Sequence, residues 1–176
     1  TRTIAKAVPG GTAVGVDREA RYVEHARRRA TEDGASNLAF EVGDALSLPF
    51  ADASFDVVWS KHVLQWIGER ERAIAEMVRV VRPGGRVVAA NFDGFLTQHW
   101  PRDERLHAEI ERWFGRARDM MGFDGEVGRK LPAMFVRAGL VDVRVHTMPD
   151  RAFSGLGGDP ERQWNHGVQL EATLPV

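Results

Sequence analysis

The chain has 176 residues, 43% hydrophobic and 28% charged, a balance that suits a globular fold and excludes a disordered one. Lys and Arg number 24 against 25 Asp and Glu, a net charge of −1 that argues against a protein held to nucleic acid by bulk charge. There is no cysteine, which removes disulfides, thiolate metal sites and a cysteine nucleophile within these residues, and no apolar run nears the roughly 20 residues of a membrane helix. The expectation is one soluble, cytoplasmic domain.

Residues 1–8 form a short amphipathic helix, broken at Pro9-Gly10-Gly11. The apolar run at 12–17 ends in Asp17 and predicts a buried strand. Residues 18–33 predict a helix with Tyr22, Val23, Ala26 and Ala30 on one face and Gly34 as its cap. Strands follow at 38–42, closed by Gly43-Asp44, and at 55–60. Residues 71–81 predict a helix with Ile74, Met77, Val78 and Val81 inward, then a turn at Pro83-Gly84-Gly85 and a strand at 86–92. A long helix is expected over 101–121, opened by Pro101 and capped by Gly122, with Leu106, Ile110, Trp113, Phe114, Ala117, Met120 and Met121 at helical spacing. A helix at 131–138 ends at Gly139, and the alternation of Val141, Val143 and Val145 predicts a strand at 140–147. From Pro149 onward the chain is rich in Gly and Pro and predicts loop with one short helix. Strands alternating with helices imply an α/β fold, a doubly wound and mainly parallel sheet.

Open α/β sheets bind ligands beyond the carboxyl ends of their strands. Asp17 and Asp44 stand at two such ends. A carboxylate there can accept from both ribose hydroxyls of a nucleotide. A second, one strand over, can accept from an adenine amino group while the Ala45 N–H faces a ring nitrogen. The plainer role for such acids is to cap turns. Gly43 allows close approach beside Asp44. In dinucleotide-binding units a glycine-rich loop precedes the ribose acid by about 20 residues, which counts back to before Thr1. Gly155, Gly157 and Gly158 make an incomplete lookalike that follows no clear strand.

The segments Val14-Gly-Val-Asp17, Glu41-Val-Gly-Asp44-Ala45 with Leu48-Pro49-Phe50, Phe55-Asp-Val-Val-Trp-Ser60 and Met77-Val-Arg-Val-Val-Arg-Pro83-Gly84-Gly85 together resemble class I S-adenosylmethionine-dependent methyltransferases. The nearest type is the group around ubiquinone and menaquinone C-methyltransferases. The resemblance implies a Rossmann-like sheet of seven strands, order 3-2-1-4-5-7-6, with the last antiparallel. It implies methyl transfer from S-adenosylmethionine to a small, partly apolar acceptor, leaving S-adenosylhomocysteine. Asp17 would hold the ribose and Arg18 follow along the adenine side. Gly43 and Asp44 would meet the adenine amino group, with Ala45 and Leu46 lining the ring. Trp59, Ser60 and Lys61 would pass the methionine part. Residues 1–92 would be the cofactor half of a single domain, 93–130 a lid over the substrate and 131–176 the remaining, incomplete part of the sheet. Strand 1 with its glycine-rich loop has no match before Asp17, and the last antiparallel strand is not evident, so the 176 residues are expected to be part of a longer chain.

Transfer from a sulfonium needs alignment and a dry pocket, with a base only if the acceptor must lose a proton. His62, after Ser60-Lys61, is the candidate base; its plainer reading is a structural histidine at a helix start. His99 and His107 are alternatives. Trp59 or Trp66 could set a ring beside the sulfonium, though core packing suits Trp66 better. Trp100, Trp113, Phe114, Met120, Met121 and Phe123 are candidate walls of an apolar acceptor pocket, while Leu106, Ile110 and Ala117 pack on the sheet. The six histidines show no metal-binding spacing, so no metal is expected. The expected partner is the small-molecule acceptor, with neither nucleic acid nor membrane. The alternatives are a degenerate methyltransferase-fold protein that binds without turnover, and an NAD-dependent oxidoreductase, which shares an acid at the same strand end.

Overall fold

The computed structural model describes residues 1–94, 103–148 and 167–174. They form two compact units, 1–50 and 51–176.

The first unit runs α1 (Arg2–Ala7), β1 (Ala13–Asp17), α2 (Ala20–Glu32) and β2 (Leu38–Val42). β1 and β2 pair in parallel from Ala13↔Leu38 to Asp17↔Val42, joined by α2. Gly15 lies opposite Phe40, and a Cβ there would sit 2.6 Å from the Phe40 ring, so only glycine fits under it. α2 buries Val23 and Ala30 and ends at Gly34 in the left-handed conformation, as its spacing predicts. Tyr22 instead stays exposed, with the Arg21 guanidinium over its ring. It lies one residue, a 100° turn, before Val23, and the buried stripe is too narrow to reach it.

Asn37 ties this unit together. Its Nδ2 donates to the carbonyls of Ala5 (2.9 Å), Val8 (3.1 Å) and Gly11 (3.2 Å), and its own carbonyl accepts from Ala13 N–H (2.9 Å). One side chain thus adds a second hydrogen bond to the Ala5 and Val8 carbonyls, which already accept from the Val8 and Gly11 N–H groups, and caps the Gly11 carbonyl in the turn leading into β1.

The second unit contains β3 (Phe55–Lys61), a 3-10 turn (Leu64–Trp66), α3 (Arg70–Val80), β4 (Val81–Asn91), α4 (Glu104–Met121), α5 (Val127–Arg137), β5 (Val141–Met148) and β6 (Gly167–Thr173). The sheet order is β3-β4-β6-β5, with β3 and β4 parallel and β6 antiparallel to both neighbours. That is the 4-5-7-6 order of the expected sheet, and β1-β2 is its 2-3 pair; strand 1 has no counterpart among the described residues. β4 is buried continuously from Val87 to Asn91, the pattern of a strand covered on both faces. Ala73, Ile74, Met77 and Val80 of α3, and Val127, Leu131 and Phe135 of α5, are buried. Val78, expected inward, is half-buried. No helix among the described residues is long and apolar enough to cross a membrane.

Five expectations are corrected. Pro83-Gly84-Gly85 is not a turn before a strand but a bulge inside β4, because Phe55 pairs with Val81 and Val57 with Arg86. Gly84 takes φ +73°, and a Cβ on Gly85 would lie 2.7 Å from the Asp56 carbonyl, so the bulge needs both glycines. The tail is not all loop: β6 is the antiparallel strand whose absence was expected. Its short alternation of Val168, Leu170 and Ala172 becomes a strand only by pairing on both sides, which no local pattern reveals. The short helix expected after Pro149 falls on 149–166, outside the described residues. α4 opens at Glu104, where Asp103 accepts from Leu106 N–H at 2.9 Å, so a side-chain cap and not Pro101 (outside the described residues) sets the start. Leu106 sits exposed in that first turn, although its spacing places it on the packed stripe. α5 starts at Val127, four residues before the expected 131.

Asn37→Ala should destabilise the chain by about 1–3 kcal/mol in urea denaturation, the cost of leaving polar groups unmet. Asn37→Asp should cost at least as much, since it turns lone pairs toward three carbonyls. An aspartate variant as stable as the parent would contradict this role.

Candidate functional site

In the first unit the expected residues gather at the carboxyl ends of β1 and β2. Asp17 is the last residue of β1 and exposed; its Oδ1 accepts from Glu19 N–H at 2.9 Å. This turn starts α2, orients the carboxylate and leaves Oδ2 without a partner among the described residues. Gly43 N–H donates to the Asp17 carbonyl at 3.0 Å, tying the two strand ends together. Asp44 repeats the arrangement: Oδ1 accepts from Leu46 N–H at 2.9 Å, and its carbonyl accepts from Ser47 N–H at 3.0 Å. Ala45 and Leu46 are half-buried in that turn. Arg18 is exposed, 3.8 Å from the Glu19 carboxylate. Gly43 has a packing reason of its own, since a Cβ would lie 2.8 Å from Pro49 Cδ and 2.9 Å from Val16 Cγ1. A concavity of about 470 Å³ lies at the other end of this unit, lined by Arg27, Thr31, Leu38 and Phe40, away from these acids.

In the second unit Trp59 is exposed, Ser60 is 9% exposed and Lys61 closes β3 at the surface. His62 follows with φ +55°, a strained backbone for a non-glycine residue. Its N–H donates to the Ala90 carbonyl at 2.8 Å, and its ring stacks on Phe92 at 4.3 Å. It stands between the strand and the 3-10 turn, not at the start of an α-helix. Burial, and then the charge of Lys61, holds its pKa below the ordinary histidine value against a smaller upward pull from the Gln65 side chain. The imidazole is therefore mainly neutral at pH 7, with Nδ1 buried and, apart from the Gln65 side chain, without a partner among the described residues.

Two residues here escape sequence reasoning. Asn91, the last residue of β4, is 0% exposed, and neither its Oδ1 nor its Nδ2 has a partner among the described residues. Gln65 is 1% exposed, its side chain directed at the His62 ring, and the Ser60 hydroxyl has no partner among the described residues. The one sequence signal is a polar residue closing the apolar run Val87-Val-Ala-Ala-Asn91.

The aromatic segment divides. Phe114 and Phe123 are buried, stack at 5.5 Å and form a small core with Ala117. Trp66 packs 4.5 Å from Phe123 while half-exposed. Trp113 stands edge-on to both phenylalanines and is exposed, as are Met120 (81%) and Met121. Trp100 and His99 lie outside the described residues; His107 is half-buried on α4. The pocket of about 90 Å³ beside Phe114 and Phe123 is smaller than a pocket for a drug-sized ligand. Arg70 holds this core against the 3-10 turn, donating to the carbonyls of Leu64 (3.0 Å) and Gly122 (2.5 Å). Asp124 anchors the same loop; burial raises its pKa, but the Lys130 ammonium at 2.6 Å, the Glu126 N–H and Arg70 outweigh that and hold it below the ordinary carboxylate value. No cluster of metal-ligating side chains occurs among the described residues.

These shifts fix two pH windows. A histidine whose folded pKa lies below its unfolded value binds more protons when unfolded, so its contribution is full above about pH 6.5 and is lost as pH falls. Stability should therefore fall as pH drops below about 6.5, and His62→Gln should flatten that fall in denaturation curves. Identical profiles for parent and variant would contradict the reading. Asp124, depressed in the folded state, contributes above its unfolded pKa and loses that contribution only below about pH 4.

Residues 1–89 match the family model described as "Methyltransferase domain". Among curated proteins the chain is 30% identical over 148 residues to the methyltransferase GfsG of Streptomyces halstedii, covering 80% of this chain and 50% of that protein. It is 40% identical over 99 residues to the 27-O-demethylrifamycin SV methyltransferase of Amycolatopsis mediterranei, 56% of this chain and 35% of that protein. The chain thus spans half or less of the length of these relatives. Among solved structures, a SAM-dependent methyltransferase of Thermotoga maritima superposes with a TM-score of 0.65 at 21% identity, covering 90% of this chain and 72% of that one. The strand order, the acids at the carboxyl ends of β1 and β2 and the match over residues 1–89 agree: the chain belongs to the methyltransferase-domain family, of the class I S-adenosylmethionine-dependent type.

Proposed function

We propose that the chain binds S-adenosylmethionine and transfers its methyl group to a small, partly apolar acceptor. The observation that carries this is the pair Asp17 and Asp44. Each sits at the carboxyl end of one of two adjacent parallel strands, is aimed by a backbone N–H and has one carboxylate oxygen to spare. That donor set fits a nucleoside: Asp17 accepts from the ribose hydroxyls, Asp44 accepts from the adenine amino group, and Ala45 and Leu46 supply apolar contact to the ring. In the second unit, the backbone of Ser60 and the side chain of Lys61 are assigned to the polar methionine end, and the exposed Trp59 ring offers a face to a cation. When bound, the cofactor supplies an activated methyl group, so the protein's part is alignment and exclusion of water.

His62 is the base where the acceptor must lose a proton, because it is neutral at pH 7 and so able to take one. Trp113, Met120 and Met121 present the exposed apolar surface for an acceptor; Phe114 and Phe123, buried beneath, hold Trp113 in place. The name of the rifamycin relative, a small-molecule methyltransferase, supports an acceptor of this class.

Calorimetric titration with S-adenosylhomocysteine should show saturable one-site binding. Asp17→Ala should weaken it about 10- to 100-fold, the worth of hydrogen bonds to a charged acceptor, with an unchanged circular dichroism spectrum. A folded parent that does not bind would overturn the reading.

A further inference from the structure

The carboxyl ends of β3 and β4 hold polar atoms that the fold itself does not use. Ser60 pairs with Ala89, and Asn91 stands two residues beyond Ala89, so the side chains of Ser60 and Asn91 share one face of the sheet. The His62 backbone is bonded to Ala90 and its ring stacks on Phe92, which brings His62 to the same strand end. Gln65 follows in the 3-10 turn, its backbone carbonyl bonded to Asp124 N–H at 2.8 Å. Among the described residues, Ser60 Oγ and both polar atoms of Asn91 are buried without hydrogen-bond partners, and the buried Gln65 Oε1 and His62 Nδ1 have none beyond the Gln65 side chain's pull on the His62 ring. Folded proteins pair the great majority of such atoms, and each unpaired one lowers stability. Several at one strand end, where open α/β sheets bind ligands, point to an occupant.

We propose that the Asn91 carboxamide, with the Ser60 hydroxyl on the same face, is the polar anchor of the methyl acceptor and takes a neutral hydroxyl such as a phenol, enol or alcohol. The inference rests on the methyltransferase reading and adds to it the acceptor's polar class. The carboxamide offers both donors and an acceptor, the complement of a hydroxyl. Ser60, Asn91 and Gln65 carry no charge and His62 is held neutral, while Lys61 stays exposed at the surface, so the buried groups give an ionised group no counter-ion, which burial penalises heavily. His62 is only half-buried, and the exposed Lys61, Val63 and Trp66 flank it in sequence, which makes this the side of entry.

The test follows the Asn91 side-chain amide by NMR in the ¹⁵N-labelled protein, its signals identified by their loss in Asn91→Leu. Phenol is the probe, toluene the apolar control and benzoate the charged control, each with and without S-adenosylhomocysteine. Phenol should shift the Asn91 signals saturably and the controls should not. Asn91→Leu should weaken phenol binding about tenfold or more and leave S-adenosylhomocysteine affinity within about twofold. It should melt no lower than the parent, because an apolar side chain of similar size removes orphaned polar atoms. Ser60→Ala, the milder variant, should weaken phenol about threefold. Asn91 signals unmoved by phenol, or moved equally by benzoate, would overturn the proposal. So would a large loss of S-adenosylhomocysteine affinity in Asn91→Leu, which would place the cluster at the cofactor. A lower melting temperature for Asn91→Leu would also overturn it by revealing an internal partner. If phenol shifts Asn91 but the parent does not bind S-adenosylhomocysteine, the hydroxyl site stands and the methyltransferase reading fails.

Discussion

β4 is covered on both faces from Val87 to Asn91, and the second unit is organised by that burial. A doubly covered strand must be apolar along its length, so it can present chemistry only at its end. There the backbone leaves the sheet and polar groups become affordable. Parallel pairing with β3 puts Ser60, Lys61 and His62 at the same end as Asn91. In the first unit the parallel pairing of β1 and β2 does the same for Asp17, Gly43 and Asp44. One constraint, strands running the same way, sorts inert residues from reactive ones in both units.

The two ends use opposite electrostatics. Asp17 and Asp44 are exposed carboxylates, each steadied by one backbone N–H and able to accept hydrogen bonds from outside. Beneath the exposed Lys61, the β3–β4 end buries uncharged polar side chains, with atoms unmet among the described residues and a histidine at φ +55°. Strain and orphaned polarity of this kind lower stability and are tolerated where they serve binding. The first arrangement suits a soluble nucleoside, and the second a less polar molecule.

Much of this was legible in the sequence because it is local. Asp17 and Asp44 stand out as acids closing apolar runs, and Gly34, Gly122 and Gly139 mark helix ends that the backbone confirms with positive φ. What was missed is non-local. β6 exists only through its two neighbours, and the Pro83-Gly84-Gly85 bulge shows only when the register against β3 is known. Phe114 and Phe123 are buried and stacked while Trp113 stays exposed, because spacing cannot say which of the adjacent Trp113 and Phe114 turns inward. Asn91 has no motif; its meaning lies in complete burial without a partner.

The central claim is that, in each unit, the carboxyl ends of the parallel strands are the binding edge. Hydrogen exchange read by mass spectrometry, with and without S-adenosylhomocysteine, addresses it most directly. Slowed exchange confined to residues 15–19, 42–47 and 59–65 is the predicted result. Slowing confined instead to residues 27–40, around the concavity at the opposite end of the first unit, would contradict it.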